Sequence, residues 1–147
     1  MSLEWVKSEM TERENYGLIG CGMMGHEHIH NIALIPGAKI TVVFDPVQKW
    51  AESAAAETGA VIAPSLDALL DHPELDALVI VSPNHCHMPQ LQQIAAQRAL
   101  PILCEKPLFT DPADLTEAQA FAQTYPAPVW VAMEYRYMPP VAALIEQ

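Results

Sequence analysis

Basic residues are scarce in this chain of 147 residues: seven lysines and arginines stand against 18 aspartates and glutamates, a formal net charge of -11. A chain of that sign repels phosphate backbones, and no basic run makes a local exception, so nucleic acid is not an expected partner. Cysteine is scarce too. Cys21, Cys86 and Cys104 are odd in number and lack paired CxxC spacing, which argues against a disulfide framework, a zinc ribbon or a redox pair and for reduced thiols in the cytoplasm. No apolar run reaches the length of a membrane span, and residues 1–15 alternate charged with apolar residues instead of forming the apolar core of a secretory signal. Internal repeats, low-complexity tracts and glycine-serine linkers are missing as well. What remains is a chain in which 51% of residues are apolar, enough for one ordinary core. We therefore expect an N-terminal extension over 1–15 and one domain over 16–147.

Short apolar runs alternate with longer helical stretches. Strands are expected at 16–19, 39–44, 60–63, 77–82, 101–105 and 128–135, the run at 77–82 being apolar throughout, as in a strand covered on both faces. Helices are expected at 24–35, stopped by Pro36 and Gly37, at 47–59, ended by Gly59, and at 65–73 with Ser65 as N-cap. Further helices follow at 88–99, at 111–125 with Asp111 before Pro112 in the first turn, and from Pro139 onward. Six strands joined by helical crossovers imply an α/β fold, a doubly wound parallel sheet. The last helical stretch reaches Gln147, from which a continuation into a further domain is expected.

Two motifs overlap at residues 20–30, "GCGMMGHEHIH". Gly20, Gly22 and Gly25 spell GxGxxG directly after a strand and at the start of a helix, the context in which a tight turn brings backbone N–H groups and a positive helix end against a pyrophosphate. Twenty residues past Gly25, Asp45 ends the second strand, where a carboxylate can accept from the ribose hydroxyls of an adenosine or cap the following helix. His26, Glu27 and His30 spell HExxH, a zinc-hydrolase pattern for which Glu52 or Glu57 could supply a third ligand. A dication is disfavoured in the first turn of a helix, whose end is electropositive. Gly25, Ile29, Ile32 and Ala33 form the expected sheet-facing stripe, leaving His26 and His30 on a flank, and the dinucleotide reading is preferred, with no metal.

Ligands of open parallel sheets gather at the carboxyl ends of the strands. The fourth strand is followed by "SPNHCH", where Pro83 turns the chain and Asn84, His85 and His87 offer polar groups to a bound ribose, and the fifth by Glu105, Lys106 and Pro107. Lys106 could polarise a carbonyl oxygen or carry a proton there, or be a solvated loop lysine.

The segments "GLIGCGMMGHEHIHN", "VSPNHCH", "CEKP" and "MEYRYMPP" resemble the glucose-fructose oxidoreductase, inositol dehydrogenase and rhizopine-catabolism family, over about residues 16–147. The resemblance implies hydride transfer between a nicotinamide cofactor and a sugar, polyol or related alcohol or carbonyl compound. It implies that Gly20, Gly22, Met23, Met24 and Gly25 hold the pyrophosphate and Asp45 the adenosine ribose. Ser82, Pro83, Asn84 and His87 would line the cofactor, Glu105 would contact the nicotinamide ribose, Lys106 would be catalytic, Pro107 would fix the loop through a cis bond, and Arg136 would lie near the nicotinamide. The acid at 45 favours NAD over NADP by charge repulsion. Members of the family continue into a second domain that supplies much of the substrate pocket and the interface of a homo-oligomer. An alternative is a non-catalytic dinucleotide-binding module.

Overall fold

The computed structural model describes residues 14–146. Six strands, β1 (Glu14–Ile19), β2 (Ala38–Phe44), β3 (Val61–Ile62), β4 (Ala77–Ile80), β5 (Ile102–Cys104) and β6 (Val129–Val131), pair in parallel as one sheet in the order β3-β2-β1-β4-β5-β6. The connecting helices are α1 (Met23–Ala33), α2 (Gln48–Thr58), α3 (Leu66–Leu70), α4 (His87–Gln97) and α5 (Leu115–Thr124), and α6 (Pro139–Ile145) follows β6. The strand order reverses between β1 and β4, which makes the carboxyl ends of these strands the switch point where such sheets bind ligands.

The period-2 alternation of a strand divides the core in two. Leu18, Val43 and Val79 pack with Ile29 and Ile32 of α1 and Ala54 of α2. Their neighbours Ile19, Val42, Leu78 and Ile80 point the other way, onto Leu69 of α3, Leu91 and Ile94 of α4 and Phe121 of α5. Each such side chain, fully buried, contributes about 1.5–3 kcal/mol of transfer free energy.

Several boundaries follow the local chemistry expected of them. Gly59 closes α2 in the left-handed region at φ 74°, and the Ser65 hydroxyl accepts from the Ala68 N–H at 3.1 Å to cap α3. Asp111 accepts from the Ala113 N–H, but Pro112–Asp114 form a 3-10 turn before α5 begins. β3 to β6 are shorter than the expected runs, whereas β2 begins one residue earlier, at Ala38. Those expected from 101 and 128 begin one residue later, because Pro101 and Pro128 have no N–H to donate to the ladder. The run to 135 ends at Val131 and bends into a 3-10 turn at Glu134–Tyr137. Ala33, placed on the sheet-facing stripe of α1, is exposed at its last turn, so the buried stripe is Gly25, Ile29 and Ile32. β1 starts at Glu14, so the sheet takes in the last two residues assigned to the extension; residues 1–13 and Gln147 lie outside the described residues.

Candidate functional site

The glycine loop joins β1 to α1. Gly20 has φ +98°, and a Cβ there would lie 2.6 Å from the backbone of Val81 and Ser82, so only glycine lets β1 turn this closely past the end of β4. A Cβ on Gly25 would meet the Gly20 carbonyl oxygen at 2.6 Å, which seats α1 directly on the loop. Above Gly22 the space is open, with nothing within 4 Å of a Cβ built there. Gly22 is also the N-cap of α1 and offers no side-chain acceptor, so the first N–H groups of this 11-residue helix lack a side-chain cap beside open space. These are the features a bound pyrophosphate needs.

Asp45 is built into the same loop. Its Oδ2 accepts from the Cys21 N–H and its Oδ1 from the Val47 N–H, both at 2.8 Å, so the carboxylate ties the end of β2 to the glycine loop while it also orders the entry to α2. Burial and the Asp45 charge push the Cys21 thiol up to about 12, which keeps it protonated and unreactive. Asp45 lines a cavity of about 150 Å³ at the switch point, together with Gly20, Ser82, Pro83 and two residues not singled out in the sequence, Trp50 and Gln90. The Ser82 hydroxyl donates to Gln90 Oε1.

His87 corrects an expectation. It does not present a polar atom to a ligand: it is fully buried, with Nδ1 2.8 Å from the Pro107 carbonyl oxygen and Nε2 2.9 Å from that of Ser82. Both partners are acceptors; the neutral ring brings one N–H to them and the doubly protonated ring brings two. His87 therefore braces the loop after β4 against the loop after β5. Pro83 and Asn84 stay exposed beside it, in the approach to and start of a 3-10 turn over Asn84–Cys86.

At the end of β5, Glu105 is the one buried carboxylate among the described residues. Its Oε1 lies 2.9 Å from His28 Nε2, and its Oε2 accepts from the Lys106 N–H at 3.2 Å. The Lys106–Pro107 bond is cis, and the Lys106 side chain is exposed. Burial and the neighbouring Glu105 push the Cys104 thiol up to about 12. Glu105 and His28 line a larger cavity of about 740 Å³ between α1 and the β5–β6 edge, whose walls include Met23, Met24, Trp130, Glu134 and Tyr137. Arg136 is exposed on the turn, and its neighbours Glu134 and Tyr137, not it, line this cavity. Met24, His28, Asn31 and Ile35 all face the cavity at helical spacing, a second stripe beside the sheet-facing one.

The HExxH histidines sit elsewhere. His26 Nδ1 and His30 Nε2 approach separate oxygens of Glu57 at 2.8 and 2.6 Å, linking α1 to the end of α2. The hydrogen bond from His26 leads the contributions that hold Glu57 below the usual carboxylate range. Among the described residues no group of three or more His, Cys, Asp or Glu is placed to hold a metal ion, and no helix is long and apolar enough to cross a membrane.

Comparison with known proteins bears on the whole arrangement. The model of a family described as an oxidoreductase family with an NAD-binding Rossmann fold matches residues 14–133. An inositol 2-dehydrogenase of Streptomyces avermitilis is 35% identical over 116 residues, which cover 76% of this chain and 34% of that protein. The crystal structure of myo-inositol dehydrogenase from Lactobacillus casei in complex with NAD(H) and myo-inositol superposes with a TM-score of 0.84 at 28% identity, over 91% of this chain and 40% of that one. The WlbA dehydrogenase of Bordetella pertussis in complex with NADH and UDP-GlcNAcA gives a TM-score of 0.83 at 25% identity, over 91% and 41% of the two chains. The chain thus spans about a third of the length of the curated relatives it matches.

Proposed function

The chain belongs to this oxidoreductase family with an NAD-binding Rossmann fold, and on that premise we propose that it binds NAD as the cofactor domain of an enzyme acting on a sugar, polyol or related alcohol or carbonyl compound. One observation carries the reading. At the switch point an uncapped helix N-terminus beside the open space over Gly22 lies next to a carboxylate, Asp45, hydrogen-bonded to the glycine loop itself.

In this reading the backbone from Gly20 through Met23 and Met24 to Gly25 holds the pyrophosphate, and the free lone pairs of Asp45 accept from the adenosine ribose. The carboxylate repels a 2'-phosphate, so NAD is preferred to NADP. Ser82, Pro83 and Asn84 flank the cofactor, and Glu105 contacts the nicotinamide ribose. The nicotinamide supplies the hydride acceptor and donor. Lys106 takes the alcohol proton, or polarises the carbonyl in reverse, from its exposed position after Glu105. Orientation of the two reacting carbons supplies the larger share of the rate. The buried, unpaired thiols Cys21 and Cys104 fit a reducing compartment, and we place the protein in the cytoplasm, as part of a homo-oligomer.

Calorimetric titration with NADH and NADPH tests the reading. Saturable binding with at least about a tenfold preference for NADH is expected from one carboxylate that must accept from a hydroxyl or face a phosphate. Equal affinities would overturn the role of Asp45, and binding of neither would overturn the function.

A further inference from the structure

We propose that His28 is a positioning residue for the nicotinamide half of the cofactor site, acting through Glu105; this rests on the NAD reading above. A carboxylate taken out of water needs partners for its lone pairs, and Glu105 has two: its own loop, through the Lys106 N–H, and the His28 ring on a different element. The pair is nearly sealed, with side-chain exposures of 13% and 9%. His28 stands three residues after Gly25 on α1, beyond the first turn that faces the pyrophosphate, and its Nε2 must carry the proton to donate to the carboxylate.

The hydrogen bond thereby spans the gap between the helix that begins at the glycine loop and the end of β5, where Lys106 follows. Without the ring, Glu105 Oε1 would face the cavity with no protein donor and the carboxylate could turn toward solvent, leaving its ribose contact unformed. The adenosine half, bounded by Asp45, Trp50 and Ser82, shares no residue with this pair. His28 is thus distinct from His26 and His30, which bind Glu57 on the far flank of the same helix.

The test compares NADH with ADP, which lacks both the nicotinamide and its ribose, as ligands of the chain and of two polar variants. His28→Gln keeps a donor at the reach of Nε2; His28→Asn is a methylene too short. For His28→Asn we expect NADH affinity to fall about tenfold while ADP stays within about twofold, and for His28→Gln we expect both ligands within about threefold of wild type. Thermal melts of both variants report folding separately. Equal losses for NADH and ADP, no loss in His28→Asn, or a His28→Gln variant as weak as His28→Asn would overturn the assignment of His28. A wild-type chain that binds ADP as tightly as NADH would overturn it too, while leaving the adenosine site standing. Failure of the wild type to bind either ligand would instead overturn the NAD reading on which it rests.

Discussion

The two halves of the sheet are built differently. On the β1–β2 side, Leu18, Ile19 and Val43 are fully buried between helices on both faces, and the glycine loop, Asp45 and α1 lock one another through backbone contacts. On the β5–β6 side, α5 covers one face, but the other is left to the large cavity, with Trp130 57% exposed and no buried residue in α6. The end at β1 and β2 is finished by its packing and by the Asp45 carboxylate on the Cys21 N–H. The end at β4 and β5 is held by two polar ties, His28 to Glu105 and His87 to Pro107, and is otherwise open. The two ends of the sheet thus differ in how they are covered, and the curated relatives that the chain matches are about three times as long.

The sharpest way to break this comparison is to remove packing on each side. Leu18→Ala should cost about 3 kcal/mol in urea denaturation, whereas Trp130→Ala should cost less than about 1 kcal/mol; similar losses would mean the two halves are equally packed. Gly25→Ala, whose methyl would press on the Gly20 carbonyl, should cost about 2 kcal/mol and weaken NADH binding, since α1 cannot then rest on the loop. Asp45→Asn should keep the fold and lower NADH affinity about tenfold by isothermal calorimetry. An unchanged affinity would leave the carboxylate a loop brace and nothing more.

The smallest effect is at alkaline pH. The Cys21 thiol ionises near 9.0 when exposed but is pushed to about 12 in the fold, so between those values the unfolded chain holds fewer protons than the native one. The sign is therefore a loss of stability as pH rises above about 9, read by thermal melts, with Cys104 shifted the same way. At neutral pH, iodoacetamide should label half-buried Cys86 well before Cys21 or Cys104.

Much of this was legible in the sequence, because it is governed by neighbours along the chain. The strand-loop-helix around Gly20 to Gly25, the acid ending β2, the Ser65 cap and a parallel sheet of six strands all follow from local pattern. The ties that span the chain were not. His28 is separated from Glu105 by 77 positions, and His87 from Pro107 by 20. No local rule pairs such residues. A signal for His28 did exist, in the spacing of Met24, His28, Asn31 and Ile35, but a helix with one obvious apolar stripe hides a second, more polar one. His87 was assigned to a ligand because a histidine after a strand end can serve either way, and only its burial decides.

The brace made by His87 also limits how the site can move. With one ring bonded to the carbonyls of Ser82 and Pro107, the turns that follow β4 and β5 share a single mechanical freedom in place of two. A displacement of either turn has to carry the other with it or break a hydrogen bond of a fully buried ring.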